Sequence, residues 1–203
     1  MTRPSRAVRV IADRKQVAVL TSAIRQEIVD TLGQLGAVSV SELAATLGRP
    51  PDALYYHLRL LVGAGLVREI RQSGNGRREA RFRAVARQFR IDYKLDQRSY
   101  SDSMATVVAS MLRVGIRDYR RALYSKGPVV EGASRELRAQ RKTVWLTKQE
   151  IRRVNQLIEK LLAAGGPRRA RARLFAITVL VTPVNLPRAA ATKNVNARSR
   201  DFK

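Results

Sequence analysis

The sequence predicts a mainly α-helical protein with a small β component, on three observations. Apolar residues recur every three or four positions over several segments, which is the period of a helix with one buried face. Ser39 and Thr147 each stand three residues before a glutamate, a pattern that caps the start of a helix. Asn75-Gly76 lies between two strand-like segments, and this dipeptide favours a tight hairpin because both residues accept positive φ.

The N-terminal part divides into an arm and a pair of helices. Residues 1–12 are basic, and the sequence predicts that they form a flexible basic arm. Residues 13–32 carry apolar side chains at spacings of three and four, which predicts two helices facing a core. Gly33 and Gly36 are expected to end the second helix.

Two further helices follow, joined by a tight turn. The capping box that begins at Ser39 opens the first of them, and Gly48 stops it. Pro50-Pro51 then fixes the turn and begins the second, at a position where a missing amide hydrogen costs least. The leucines of that second helix share one face, and four polar or aromatic residues fall largely on the other: Asp52, Tyr55, Tyr56 and Arg59.

A hairpin completes this unit. Residues 66–72 and 78–85 are predicted to pair as antiparallel strands across the turn at Asn75-Gly76. A capped helix, a tight turn, a second helix and a hairpin, in this order, describe a winged helix-turn-helix over residues 13–90. The second helix of such a unit has the dimensions of the DNA major groove, so the segment predicts DNA binding.

The second half is predicted to be a helical dimerisation or effector region over residues 91–186, followed by a disordered tail over residues 187–203. Residues 99–124 form a long amphipathic helix that suits an intramolecular core and a dimer interface equally well. The capping box at Thr147 opens another helix, whose apolar residues we expect to face inward. Residues 174–181 are rich in β-branched side chains and predict one late strand.

The charge of the chain favours a polyanionic partner. The formal net charge is +24 at pH 7, and phosphates attract such surfaces through counterion release. Residues 1–90 hold 16 basic and 7 acidic groups, whereas residues 91–203 hold 24 and 9. The positive excess therefore extends beyond the helix-turn-helix unit. The second half either lies along DNA as well or binds an anionic ligand or partner.

Several function classes are excluded by composition. The chain has no cysteine, which removes disulfides, thiol catalysis and thiolate metal sites. His57 is the only histidine, and we expect a packed, hydrogen-bonded residue rather than a sensor or a general base. We expect no enzyme, no metal and no cofactor, because neither a nucleophile–base pair nor a phosphate-binding glycine loop is present. The N-terminus lacks a signal peptide and no segment is long enough to cross a membrane, so we expect a cytoplasmic protein.

Residues 40–85 resemble the ArsR-type winged-helix repressors. The matching segments are Ser41-Glu-Leu-Ala, Tyr56-His-Leu-x-x-Leu, Gly63-Ala-Gly-Leu-Val and the Gly-Arg-Arg-Glu sequence of residues 76–79. The resemblance implies a transcriptional regulator, a repressor, that binds double-stranded DNA as a homodimer. In many relatives a metal or a small molecule releases the DNA. The lack of cysteine departs from the metal sensors, and a small-molecule effector of unknown identity stays open.

The resemblance also implies which residues contact DNA. The second helix would read bases and the wing would approach the flanking groove. Arginine can bond a guanine edge, tyrosine more often touches phosphate or sugar, and an acidic residue near the helix start can simply complement the dipole. The strand arginines 71, 81 and 83 are weaker candidates because they can pair with Glu69 or Glu79 instead of DNA. The candidate contacts are Asp52, Tyr55, Tyr56 and Arg59 on the helix, and Arg77 and Arg78 at the wing.

The main functional prediction is a sequence-specific regulator that acts on a palindromic operator, because two-fold symmetry pairs two half-sites. Two alternatives remain open from the sequence. The same fold could package nucleic acid without reading its sequence, which the wide spread of positive charge favours. It could also serve as a protein-contact module, which an absence of DNA binding at low salt would indicate.

Overall fold

The computed structural model describes the backbone of residues 6–74, 77–93, 98–125, 127–166 and 169–184, and within these ranges all side chains except those of residues 6, 7 and 71–79. The helices in these ranges are α1 (Arg14–Val19), α2 (Ala23–Leu35), α3 (Val40–Leu47), α4 (Pro51–Gly63), α5 (Arg98–Leu123) and α6 (Lys148–Ala163). The strands are β1 (Arg6–Ile11), β2 (Val38–Ser39), β3 (Val67–Gly74), β4 (Arg77–Ala84) and β5 (Ala86–Ile91). The predicted fold class, mainly α with a small β component, is confirmed.

The core lies among α2, α3, α4 and the hairpin. In α4 the leucines predicted to share a face, Leu54, Leu58 and Leu61, are 1 % exposed or less. They meet an apolar face of α3 that is buried in the same cluster, in keeping with its helical period. α3 begins with the predicted capping box: Ser39 accepts from the Glu42 amide at 3.2 Å, and Glu42 accepts from the Ser39 amide at 2.8 Å.

The hairpin forms as predicted. β3 and β4 pair antiparallel from Val67 opposite Ala84 to Gly74 opposite Arg77. β2 pairs with the other edge of β4, which gives a three-stranded sheet in the order β2-β4-β3. This sheet fixes the wing to the helices, because β2 leads directly into α3. The turn at residues 75–76 lies outside the described residues.

The prediction of a flexible arm over residues 1–12 is wrong for residues 6–11. These form β1, which pairs in parallel with β5, from Arg6 opposite Ala86 to Ile11 opposite Ile91. Ile11 is fully buried in the core, and the Arg9 guanidinium donates to the Gly65 carbonyl at 3.2 Å. The ladder hydrogen bonds and the buried isoleucine together hold this segment in place.

The long helix α5 begins and ends within one residue of the predicted range, 99–124. Its first half packs into the core of its own chain, where Tyr100, Met104 and Val107 are buried. The Tyr100 hydroxyl donates to the backbone carbonyl of Asp92, and burial raises the pKa of that hydroxyl. The first half of α5 is therefore intramolecular core, one of the two roles that the sequence leaves open.

Two predictions for the C-terminal region are wrong. α6 forms with its Thr147 capping box, but none of its residues is buried, so its apolar side does not face inward within this chain. Residues 174–181 do not form a strand. A strand needs a neighbour for its backbone hydrogen bonds, and no described segment pairs with this one. The predicted tail, residues 187–203, lies outside the described residues.

Candidate nucleic-acid interface

The face of α4 opposite its buried leucines is open to solvent. Asp52, Tyr55, Tyr56 and Arg59 are all exposed, with Tyr55 at 44 % and Tyr56 at 63 %. Large aromatic side chains are seldom left so exposed without a partner, and two stand side by side here. The structure therefore brings these four candidate residues together on one accessible helix face.

The start of α4 is set by the turn after α3. Gly48 adopts a left-handed conformation at φ 63°, which ends α3 and reverses the chain. Pro50 stands at the N-cap in an extended conformation and Pro51 is the first helical residue, where its missing amide hydrogen leaves no bond unmade. Asp52 lies in the first turn, where its negative charge complements the helix dipole.

The predicted wing contacts, Arg77 and Arg78, stay a prediction. Arg77 and Arg78 lie on β4, opposite Gly74 and Ser73, but their side chains lie outside the described residues, as does that of Arg71. The Arg81 guanidinium donates to the Ala37 carbonyl at 2.9 Å and to Glu42 at 2.9 Å. These bonds join the wing to the start of α3, and the carboxylate that they use, Glu42, is not one of the two glutamates that the sequence suggested for the strand arginines.

His57 packs against a neighbouring aromatic ring and is affected by the charges of two arginines. Its ring packs edge-on against Tyr56, with the ring centroids 5.3 Å apart. Burial lowers the pKa of His57, and the charges of Arg25 and Arg49 lower it further, so the neutral form is favoured. The predicted packing is present, but Nδ1 is buried and has no hydrogen-bond partner within the described residues.

A buried carboxylate links the turn before α4 to α5. Glu27 is 7 % exposed, and its Oε2 accepts from the Arg49 Nη2 at 3.1 Å and from the Arg117 Nη1 at 2.8 Å. Arg117 also bonds Asp118 at 3.0 Å. Burial opposes its charge, but hydrogen bonds to the two carboxylates outweigh burial and raise the pKa of Arg117. Because both guanidinium groups share one oxygen, they stand close together.

A further basic surface, which was not predicted from the sequence, lies on α5, and we call it the α5 arginine row. It consists of four residues in the second half of α5: Arg113, Arg117, Arg120 and Arg121. A signal was present, since arginines recur at intervals of four along a predicted helix and therefore share a face. The predictions for this helix considered only its apolar side.

Neither a metal site nor a membrane span is found in the part of the chain that the structure describes. It contains no group of three or more histidine, cysteine, aspartate or glutamate side chains placed to hold a metal ion. None of its helices combines the length and the apolar character needed to cross a membrane.

Comparison with known proteins identifies the N-terminal unit. Residues 20–70 match a family model described as a helix-turn-helix domain. Two solved structures are similar to the chain. YusO protein from Bacillus subtilis is 15 % identical, with 76 % of this chain and 77 % of that chain covered and a TM-score of 0.25. RV1404 from Mycobacterium tuberculosis is 17 % identical, with 79 % and 78 % covered and a TM-score of 0.24.

No curated protein sequence matches the chain. The matched residues begin before α2 and run through α3 and α4 into β3, so they include the exposed α4 face. The chain thus contains a helix-turn-helix domain, of the kind that places its second helix in the DNA major groove, and here a β-hairpin wing follows that helix.

Proposed function

We propose that this chain is a sequence-specific DNA-binding transcriptional regulator of the ArsR type, acting in the cytoplasm as a repressor. The observation that carries the proposal is the exposed α4 face with Tyr55, Tyr56 and Arg59, on a helix that the hairpin of β3 and β4 follows in the chain. The opposite face of α4 is fully buried, so the helix is held rigidly while this side remains accessible. A rigid helix with an accessible polar and aromatic face suits insertion into the major groove.

Each candidate residue has a role in the proposed complex. Arg59 bonds a guanine edge through both guanidinium nitrogens, which contributes about 1–3 kcal/mol of discrimination. Tyr55 and Tyr56 contact phosphate or pack on sugar. Asp52 complements the helix dipole and stands where it can accept from a base. Arg77 and Arg78 would neutralise phosphates at the wing.

We further propose that the regulator is a homodimer on a palindromic operator. A two-fold axis places two α4 helices in successive major grooves about one helical turn apart. The support is the uncovered apolar surface of the C-terminal region, where fourteen large apolar side chains from Val129 to Val184 are exposed. A soluble chain rarely leaves so much apolar surface open, and a second copy would cover it.

The experiment uses the full chain and a duplex obtained by in vitro selection. Fluorescence anisotropy then compares wild type with Tyr56→Ala/Arg59→Ala. Removal of a bidentate bond to a base and of a backbone contact is expected to weaken binding to the selected duplex by about tenfold to hundredfold. The matched control is Asn155→Ala/Arg152→Ala, which removes one polar and one basic exposed side chain from α6 and should leave affinity unchanged. Undiminished affinity in the α4 variant would overturn the assignment of the reading helix.

A second candidate function is sequence-independent nucleic-acid binding, which the exposed arginines outside the helix-turn-helix unit favour. It predicts nearly equal affinity for the selected and a random duplex of the same length. Competition by random duplex separates the two functions. A regulator should keep at least about a thousandfold preference for its selected site.

A further inference from the structure

The α5 arginine row lines an open groove on the surface of α5. The groove has a volume of about 630 Å³, and its remaining lining residues are Ile116 and Tyr124. Arg113, Arg117 and Arg121 follow one another at intervals of four residues, so their Cα atoms rise by about 6 Å at each step along one face. A regular series of guanidinium groups matches a polymer with regularly spaced anionic groups better than it matches one isolated anion.

Most of the charge in the row is not neutralised. Only Arg117 is paired with carboxylates, those of Glu27 and Asp118, among the residues that the structure describes. Arg113 donates to the Ser110 hydroxyl at 2.7 Å, a neutral partner. Arg120 and Arg121 are exposed and form no ion pair within the described part of the chain. The row therefore presents several free positive charges to solvent.

The middle of the row is linked to the turn that leads into α4, the proposed reading helix. Arg117 and Arg49 bond the same oxygen of Glu27, and Arg49 immediately precedes the N-cap of α4. The charges of Arg25 and Arg49 both act on His57, whose ring contacts that of the exposed Tyr56 on α4. The two ion pairs of Glu27 thus hold the middle of the row next to the turn that leads into α4.

We propose that the α5 arginine row is a second phosphate-binding surface, which holds the DNA backbone beside the site that α4 reads. The inference rests on the proposed function. The regular spacing and the openness of the groove favour a polyanion over a small anionic ligand, which one or two guanidinium groups would satisfy. Exposed Tyr124 suits packing against a sugar, and the row accounts for part of the charge excess beyond residue 90.

The test measures the salt dependence of binding by the full chain to a selected duplex and to a random duplex. The variant is Arg113→Gln/Arg120→Gln/Arg121→Gln, which leaves Arg117 in place because it holds Glu27. The slope of log K against log salt should become shallower by about 0.9 for each phosphate that the variant no longer neutralises, about 2–3 in all. Affinity should fall by the same factor for both duplexes, since phosphate contacts do not read sequence.

The control is Arg141→Gln/Arg152→Gln/Arg153→Gln, which removes the same charge from exposed sites outside the row. Its slope should stay at the wild-type value, and thermal melts should show that both variants fold. A row variant with the wild-type slope and intact DNA binding would overturn this inference alone and leave the proposed function standing. Both chains are also titrated with a small aromatic sulfonate, which stands for a small anionic ligand. A row variant that keeps the wild-type slope but no longer binds the sulfonate would show that the row holds a small ligand, and would likewise overturn this inference alone. Wild-type chain that binds no duplex even at low salt would overturn both.

Discussion

At the scale of single residues, two carboxylates one turn apart on α2 stand in opposite electrostatic environments. Glu27 is buried and accepts from two arginines, which compensate its charge. Asp30 forms no ion pair with any described residue. Although the residue keeps part of its exposure to water, loss of solvation raises its pKa from 3.8 to about 6, and the neighbouring charges of Asp118 and Glu27 add to that effect. The negative form of Asp30 is therefore disfavoured relative to that of a free aspartate, although it still predominates at pH 7.

Replacement of Asp30 by asparagine should stabilise the fold at pH 7 and change its pH dependence. Between pH 3.8 and about 6 the folded state binds a proton at Asp30 that the unfolded state does not. The stability that this protonation contributes is therefore fully present at low pH and is lost as pH rises through about 6. Asp30→Asn should raise Tm at pH 7 by no more than about 4 °C, since Asp30 remains exposed and water screens its neighbours. The difference from wild type should disappear below pH 4.

Thermal melts at several pH values between 3.5 and 8 would measure this effect. Asp102→Asn is the matched control, because Asp102 is an exposed aspartate near the start of α5. It should leave the pH profile of Tm as it is in wild type. An Asp30→Asn profile that runs parallel to that of wild type over the whole range would contradict the raised pKa.

The residues of the α4 face were predictable from the sequence, whereas the Glu27 bridge was not. Asp52, Tyr55 and Arg59 follow from helical periodicity alone, once the leucines are placed on the buried side. Glu27 finds its partners 22 and 90 positions further along the chain, in the turn before α4 and in α5. No local pattern encodes such a pairing, because it depends on how α5 packs on α2.

At the scale of elements, a glycine inside α2 sets how closely β5 approaches the helix. Gly33 was predicted from the sequence to help end α2, but the helix continues through it to Leu35. A Cβ at Gly33 would lie 2.7 Å from the Arg87 carbonyl oxygen on β5, closer than van der Waals contact allows. Gly33 therefore serves the packing of two elements and is not a helix stop.

Gly33→Ala should destabilise the protein although alanine is the better helix former. The propensity gain of up to about 1 kcal/mol is opposed by a clash with backbone, which cannot rotate away and typically costs about 1–3 kcal/mol. Urea unfolding should show a net decrease in the free energy of unfolding of roughly 1–2 kcal/mol. Gly63→Ala in α4 is the matched control, since nothing lies within 4 Å of its Cβ, and it should cause no decrease. Equal stability of the two variants would mean that β5 does not rest against α2.

The helices were more predictable than the strands because a helix bonds within itself and a strand does not. Both capping boxes are present as predicted, at Ser39 and at Thr147. β1 escaped prediction because its partner β5 lies about 80 positions away. The β-branched residues 174–181 show the converse, since their composition favours a strand but no described neighbour completes one.

At the scale of the whole molecule, the apolar core of the described residues does not extend beyond the first half of α5. Every buried apolar side chain of the described residues lies at or before Val107. Beyond it, α6 and the segments around it carry exposed apolar side chains, among them Trp145 at 71 % and Leu174 at 76 %. If most of this surface were covered, on the order of 1,000 Å² per protomer would be buried, which is within the range of stable homodimers.

Charge placed on the apolar side of α6 should therefore separate the proposed dimer. Sedimentation equilibrium of wild type should give twice the chain mass of 22.7 kDa, and Leu157→Glu/Leu161→Glu should shift it towards the monomer. Both leucines are exposed within one chain, at 59 % and 45 %, so the variant should keep its fold, and CD melts would check this. Gln149→Glu/Gln156→Glu adds the same charge to the polar side and should leave the dimer intact. A monomeric wild type at micromolar concentration, or a leucine variant that remains dimeric, would show that the apolar surface of α6 has another partner or none. The result bears directly on DNA recognition, because a monomer would hold one α4 helix and could not select a two-fold symmetric site.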